Sequence, residues 1–207
     1  EKFPNIIIVA GGEHPSAIPE YVLRDCPAID YVIRGEGEFS MLEFSYNLFH
    51  KKSVNNIAGI SFINKDDKFI DNGASKRIEH IDKIPRPAWH LLKPENYFND
   101  YFTLGLAKGR NMPILATRGC PFQCTFCSSP TMWTTRYIMR DPEEIVDEIE
   151  WLKKEYKAND FEFFDLTAII KKSWILEFCE VLKKRGIKNI TWQLPVGTRT
   201  ETLDKEI

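Results

Sequence analysis

The feature that most narrows the fold is an alternation that begins at Met112 and continues to the end of the chain. Short apolar runs at Pro113–Thr117, Phe161–Phe164 and Ile190–Leu194 are separated by segments whose apolar residues recur at helical spacing. Asp141-Pro142-Glu143-Glu144 reads as a helix start, with an oxygen-bearing cap, proline in the first turn and acidic residues behind it. Ile145, Ile149, Leu152 and Tyr156 carry that helix's apolar stripe, and Lys153 and Lys154 suit the negative end of its dipole. Ser173 is expected to cap a second helix, on which Ile175, Phe178, Cys179 and Leu182 share a face and which Gly186 ends. Strand, helix, strand, helix, strand at this spacing predicts parallel neighbours joined by right-handed crossovers.

The first quarter has a similar rhythm. Ile6–Ala10 ends at Gly11-Gly12, and Pro15–Arg24 reads as one short helix with Ile18, Val22 and Leu23 facing inward. A second run, Ile29–Ile33, ends in Gly35-Glu36-Gly37-Glu38, and a helix follows to about Lys51 with Met41, Leu42, Phe44, Leu48 and Phe49 as its apolar positions. Residues 1–53 are thus expected to close a doubly wound α/β domain. Residues 54–110 read as a connector. It contains a β-hairpin around Asn64-Lys65-Asp66-Asp67, then Pro85, Pro87 and Pro94, with Trp89 and Tyr97 packing across domains. Residues 111–207 read as the first half of a (β/α) barrel. Few strands stand on either side, so the chain is expected to open inside one domain, stop inside the next and lack activity by itself.

Composition excludes several classes. The 28 basic and 30 acidic residues balance to −2, which gives no hint of a nucleic-acid partner. The longest apolar run is far shorter than the roughly 20 residues of a membrane span, and Glu1-Lys2-Phe3-Pro4 does not resemble a secretory leader. Five cysteines, three of them within eight residues, do not make a disulfide framework and are expected in a reducing cytoplasm. Cys26, before Pro27, reads as a small buried residue, and Cys179 as core.

Cys120-Pro121-Phe122-Gln123-Cys124-Thr125-Phe126-Cys127 sets three soft thiolate donors on one loop directly after a strand. Structural zinc normally takes four closed ligands, and none of His14, His50, His80 or His90 is spaced as a partner of these cysteines. Ferredoxin clusters take four cysteines. Three ligands with one open iron is the best account.

Arg118-Gly119-Cys120 through Cys127 resembles the cluster motif of the radical S-adenosylmethionine superfamily, CxxxCxxC with an aromatic before the last cysteine. Gly11-Gly12 before His14, and Gly35-Glu36-Gly37-Glu38, resemble the end of the cobalamin-binding domain found upstream of many such enzymes, among them the anaerobic magnesium-protoporphyrin monomethyl ester cyclase and cobalamin-dependent methyltransferase group. Ile84-Pro85-Arg86-Pro87-Ala88-Trp89 resembles the connector of that group. The resemblance implies a 4Fe–4S cluster on Cys120, Cys124 and Cys127, with S-adenosylmethionine on the fourth iron and reductive cleavage to a 5′-deoxyadenosyl radical. It implies adenine contact at the Phe126 backbone. It places Asp165, at a strand's carboxyl end, in the S-adenosylmethionine pocket, with a helix-capping role as the alternative. Gly11, Gly12, Gly35 and Gly37 would let the backbone approach cobalamin, with ordinary turns as the alternative.

The expected reaction is radical methyl transfer or cyclisation on an unknown small-molecule substrate, with an electron donor such as flavodoxin or ferredoxin. A radical methylthiotransferase without cobalamin is the competing enzyme reading, and a zinc-binding or electron-carrier module the competing non-enzyme one. His14 reads as a surface or capping residue, and Trp133 as the tryptophan best placed to meet a substrate. Of Arg118, Arg136, Arg140 and Arg199, at least two are expected to serve structural or solvated roles rather than to bind an anion.

Overall fold

The computed structural model describes residues 5–98, 103–106 and 108–207, so the first four residues, including the leader comparison made on them, lie outside it. Two compact units emerge. The first runs to Glu79 and takes in Thr131–Trp133, and the second holds His80–Pro130 and Thr134–Ile207.

In the first unit, β1 (Val9–Ala10) leads into α1 (Glu13–Ala17) and α2 (Pro19–Asp25), then β2 (Tyr31–Ile33) leads into α3 (Glu38–Phe49). The single helix expected over Pro15–Arg24 is two. Proline cannot donate to a helix and pushes its predecessor out of the helical region, and Ile18 accordingly sits at φ −134° with Pro19 opening α2. Ile18 is therefore turned outward at 42% exposure, whereas Val22 and Leu23 are buried as expected. On α3, Phe44 is buried and Leu48 packs on the core, but Met41, Leu42 and Phe49 are exposed.

The hairpin forms as β3 (Ile60–Ile63) and β4 (Phe69–Asp71). Asn64 Oδ1 accepts from the Asp66 and Lys68 amides and so builds the turn chemically. The hairpin joins the first sheet: β1 and β2 are parallel, β3 adds antiparallel to β2, and β4 lies at the edge. Ile33, Phe44, Val54, Ile57, Ile60 and Phe62 form the core beneath it.

The second unit contains β5 (Asn111–Ile114), β6 (Thr117–Arg118), β7 (Ile138–Met139), α5 (Pro142–Tyr156), β8 (Asp160–Phe163), α6 (Lys172–Lys184) and β9 (Thr191–Gln193), and α4 (Ser129–Trp133) is divided between the two units. Its main sheet, ordered β5-β8-β9, is wholly parallel. Met112, Ile114, Phe161 and Phe163 meet Ile145, Ile149 and Leu152 of α5 and Phe178 of α6 in one core, and Trp89 packs against it. Asp141 caps α5 by accepting from the Glu143 amide at 2.9 Å. Removing that cap, Asp141→Ala, is expected to lower stability by about 1 kcal/mol, read as a lower urea midpoint. The expected Ser173 cap is not made: Lys171 occupies the cap position of α6 with no side-chain bond, and Ser173 lies inside the helix. Cys179 is half-buried against the core, but Cys26, expected inside, is exposed at the end of α2, where Pro27 turns the chain away.

Candidate functional site

The cysteine loop is an excursion from the carboxyl end of β5, where active sites of (β/α) barrels gather. It leaves along β6 and returns along β7, the two strands pairing antiparallel. The Arg140 amide then closes its base on the Ala116 carbonyl at 2.9 Å. Gly119, at φ +85°, turns the chain at the point of departure in a conformation that glycine reaches without strain.

Inside the loop, Cys120 and Cys124 are half-buried, Cys127 is exposed, and none of the five cysteines is in a disulfide. The Cys127 amide donates to the Cys124 carbonyl at 3.0 Å, and the Ser129 amide points at Cys127 Sγ at 3.4 Å. The three thiols share one short, accessible loop. Among the described residues no three His, Cys, Asp or Glu side chains converge on a single ion. Three soft thiolate donors on one short loop are a donor set that an iron–sulfur cluster can use. Phe126, beside the last cysteine, is 92% exposed.

Two neighbours approach the loop that spacing alone did not reveal. Arg199, beyond β9, lies 4.0 Å over the Phe122 ring and is ion-paired to Glu201 at 2.7 Å. The hydrogen bond to Glu201 raises its guanidinium further above the ordinary range. Tyr137, on the return path, donates from its hydroxyl to the Ala168 carbonyl at 2.9 Å, and burial pushes its phenol well above the ordinary tyrosine range. Asp165, beyond β8, is 1% exposed, and burial raises its carboxyl to about 6 against the hydrogen bonds it accepts from Thr117 and Ala116. The Thr167 hydroxyl, two residues on, is buried with no partner.

The sheet's other face is polar. Asp160 and Glu162 alternate with the core residues Phe161 and Phe163, a two-residue period that is written in the sequence. Glu162 accepts from the Leu104 and Gly105 amides, and Gln193 brackets Leu106 through both its amide atoms. A cavity of about 230 Å³ opens among Trp89, Tyr97, Phe98, Pro113, Glu162 and Phe164.

In the first unit, Gly11 and Gly12 end β1 while Gly35 and Gly37 follow β2, so the two turns stand side by side at the carboxyl ends of parallel strands. The Ser16 hydroxyl accepts from the Gly35 amide at 3.1 Å. A Cβ on Gly12 or Gly35 would meet nothing within 4 Å, so open space lies before both turns. His14 is exposed on α1. The Trp133 ring is covered by the Arg77 guanidinium at 5.7 Å, and its Nε1 donates to Glu13 at 3.4 Å.

Comparison with known proteins bears on both units. Residues 114–169, which contain the cysteine loop and Asp165, match the family described as the radical SAM superfamily. The chain is 35% identical over 207 residues to an anaerobic magnesium-protoporphyrin IX monomethyl ester cyclase of Rubrivivax gelatinosus, covering 99% of this chain and 35% of that protein. It is 30% identical over 203 residues to an uncharacterized methyltransferase of Pyrococcus horikoshii, covering 98% of this chain and 42% of the relative. The chain thus spans well under half the length of these curated relatives. In fold it is similar to OxsB, a cobalamin-dependent S-adenosylmethionine radical enzyme solved with aqua-cobalamin and S-adenosylmethionine bound. The TM-score is 0.69 at 21% identity, over 90% of this chain and 25% of that one. It is also similar to the radical S-adenosylmethionine methyltransferase TsrM of Kitasatospora setae, with TM-score 0.61 at 21% identity, over 88% of this chain and 33% of that one.

Proposed function

Residues 114–169 are a segment of the radical SAM superfamily, and on that premise we propose that this chain belongs to an enzyme that cleaves S-adenosylmethionine reductively and uses cobalamin for radical methyl transfer or cyclisation of a small molecule. The observation that carries the reading is the single loop that presents Cys120, Cys124 and Cys127 together at the carboxyl end of a parallel sheet. When bound, the cluster and S-adenosylmethionine supply the electron and the radical, and the protein supplies position and exclusion of water. Cys120, Cys124 and Cys127 would hold three irons, and the backbone of the exposed Phe126 would receive the adenine. An external carrier of the flavodoxin or ferredoxin type would deliver the electron, and the unbridged thiols favour a reducing, cytoplasmic setting. Among the described residues no helix is long and apolar enough to cross a membrane.

Residues 1–53 are proposed as the end of a cobalamin-binding domain, 54–110 as connector and 111–207 as the first half of the barrel. Gly11, Gly12, Gly35 and Gly37 would face cobalamin, and the open space before the two turns supports this. Gly11 is the clean probe. At φ +94° Gly12 strains any side chain whatever the ligand, whereas a Cβ on Gly11 would touch only the Ile33 carbonyl at an ordinary 3.6 Å. In the full-length protein Gly11→Leu is expected to fold normally and bind cobalamin roughly 5- to 150-fold more weakly, the equivalent of about 1–3 kcal/mol of overpacking. Unchanged cobalamin per chain after gel filtration would reduce these glycines to turn formers.

The central reading is tested by anaerobic reconstitution of the full-length protein. Iron and labile sulfide in equal amounts, with 5′-deoxyadenosine formed on adding reductant and S-adenosylmethionine, are expected. One zinc per chain without sulfide would replace the enzyme by a structural zinc module.

A further inference from the structure

Both carboxylate oxygens of Asp165 are already engaged by the chain itself. Its Oδ1 accepts from the Thr117 amide and, at 2.5 Å, from the Thr117 hydroxyl; its Oδ2 accepts from the Ala116 amide at 3.3 Å. Ala116, Thr117 and Asp165 are all buried to within a per cent of completely, so water does not share these bonds. Both donors lie in the few residues that carry the chain from β5 into the cysteine loop, one step before Arg118 and the Gly119 turn. On the opposite side the Arg140 amide holds the Ala116 carbonyl, and the Thr117 hydroxyl lies within hydrogen-bonding reach of the Tyr137 hydroxyl on the return strand. The β8 carboxylate therefore grips the departing strand at consecutive amides, and the returning strand is tied to the same two residues.

We infer that Asp165 is a positioning residue: it fixes the direction in which Thr117–Arg118 launches the cysteine loop, and it does not bind S-adenosylmethionine. The inference rests on the proposed cluster function of that loop. A carboxylate that accepts from consecutive backbone amides and the hydroxyl of one of those residues fixes a short segment in both position and orientation. A ligand of the S-adenosylmethionine amino group would instead present an oxygen to the open side of the sheet, whereas Asp165 is 1% exposed. Substitution by Asn puts an NH2 group where one oxygen stood, and in either amide orientation a donor then faces an amide donor. Thr117→Val removes the hydroxyl bond alone and leaves the carboxylate intact.

The full-length protein is prepared as wild type, Asp165→Asn, Thr117→Val and the double variant. Amide exchange at Ala116 and Thr117 is measured without cofactors. Iron, sulfide and the reduced-cluster EPR spectrum are measured after anaerobic reconstitution, and S-adenosylmethionine affinity on the cluster-loaded protein. Asp165→Asn is expected to release protection at Ala116 and Thr117 while α5 and α6 stay protected. It should also weaken cluster retention about tenfold or more, the scale of losses when a ligand's outer support is removed. Thr117→Val should weaken cluster retention in the same direction but less, the double variant should be no worse than Asp165→Asn, and the affinity of loaded protein for S-adenosylmethionine should be unchanged. Full cluster content in Asp165→Asn with weakened S-adenosylmethionine binding would overturn the inference and make Asp165 a ligand. Unaltered protection at Ala116 and Thr117 would overturn it as well. A wild-type protein that takes up no cluster would instead remove the proposed function on which the inference stands, while the exchange data would still report the clamp.

Discussion

Single replacement of Cys120, Cys124 or Cys127 by Ala in the full-length protein is expected to remove the iron–sulfur cluster and reduce S-adenosylmethionine cleavage to background, while Cys179→Ala leaves both intact. Each loop thiol is proposed to serve a different iron, so losing any one leaves a metal open to solvent and oxidant. Cys179 differs in place and chemistry. It sits on α6 against the hydrophobic core, and burial pushes its thiol above the ordinary cysteine range, which keeps it protonated and unlike a ligand thiolate. Iron and sulfide analysis, the EPR spectrum and chromatographic assay of 5′-deoxyadenosine read the outcome. A triple Ala variant that still produced 5′-deoxyadenosine would refute the assignment of these cysteines.

The parts of this fold legible in the sequence are those decided locally. Asp141-Pro142-Glu143 starts α5 where its capping chemistry says it should, and Asn64 makes the hairpin turn with its own side chain. The cysteine loop was legible because three soft donors at short spacing have few uses. What local pattern could not supply was partnership at a distance. That the hairpin would extend the first sheet beyond β2 depends on Val32 and Ile33 meeting Ser61 and Ile60 in register, and nothing within the hairpin itself specifies that edge. Asp165 is a similar case. Its place after an apolar run marks it as a rim carboxylate, but its amide donors come from Ala116 and Thr117, far away in the chain. The Asp160–Phe163 alternation did carry a signal, a polar face opposite the core, that the run's hydrophobicity masked. The break at Pro19 was readable in principle, because proline's effect on Ile18 is a local rule, and helical spacing of the apolar residues outweighed it.

The same distance problem governs the four arginines, and Arg140 yields the second large expected effect. Its Nε pairs with Asp82 at 3.1 Å, while its NH1 pairs with Glu148 at 2.5 Å and donates to the Leu115 carbonyl at 3.1 Å. The Trp174 indole nitrogen donates to its backbone carbonyl at 2.8 Å. The guanidinium thus ties the segment after His80, the end of β5 and α5 together at the base of the cysteine loop, and the backbone carbonyl holds α6. Glu148 is itself buried, so Arg140→Ala would strand its carboxylate in the interior without a counter-charge. The expected cost is about 3–5 kcal/mol, the scale for breaking one side of a buried ion pair, read as a fall in the urea midpoint. Arg140→Lys should recover only part, because a compact ammonium lacks the planar fork that spans two carboxylates and a carbonyl. Arg185 supplies the contrast: it faces Glu143, Asp147 and Glu150, yet all four side chains are substantially exposed, and water screens such pairs. Arg185→Ala should therefore move the midpoint far less despite having more carboxylate partners. If Arg140→Ala proved no more destabilising than Arg185→Ala, the cysteine loop would have to be anchored chiefly by the Asp165 clamp and the β6–β7 pairing.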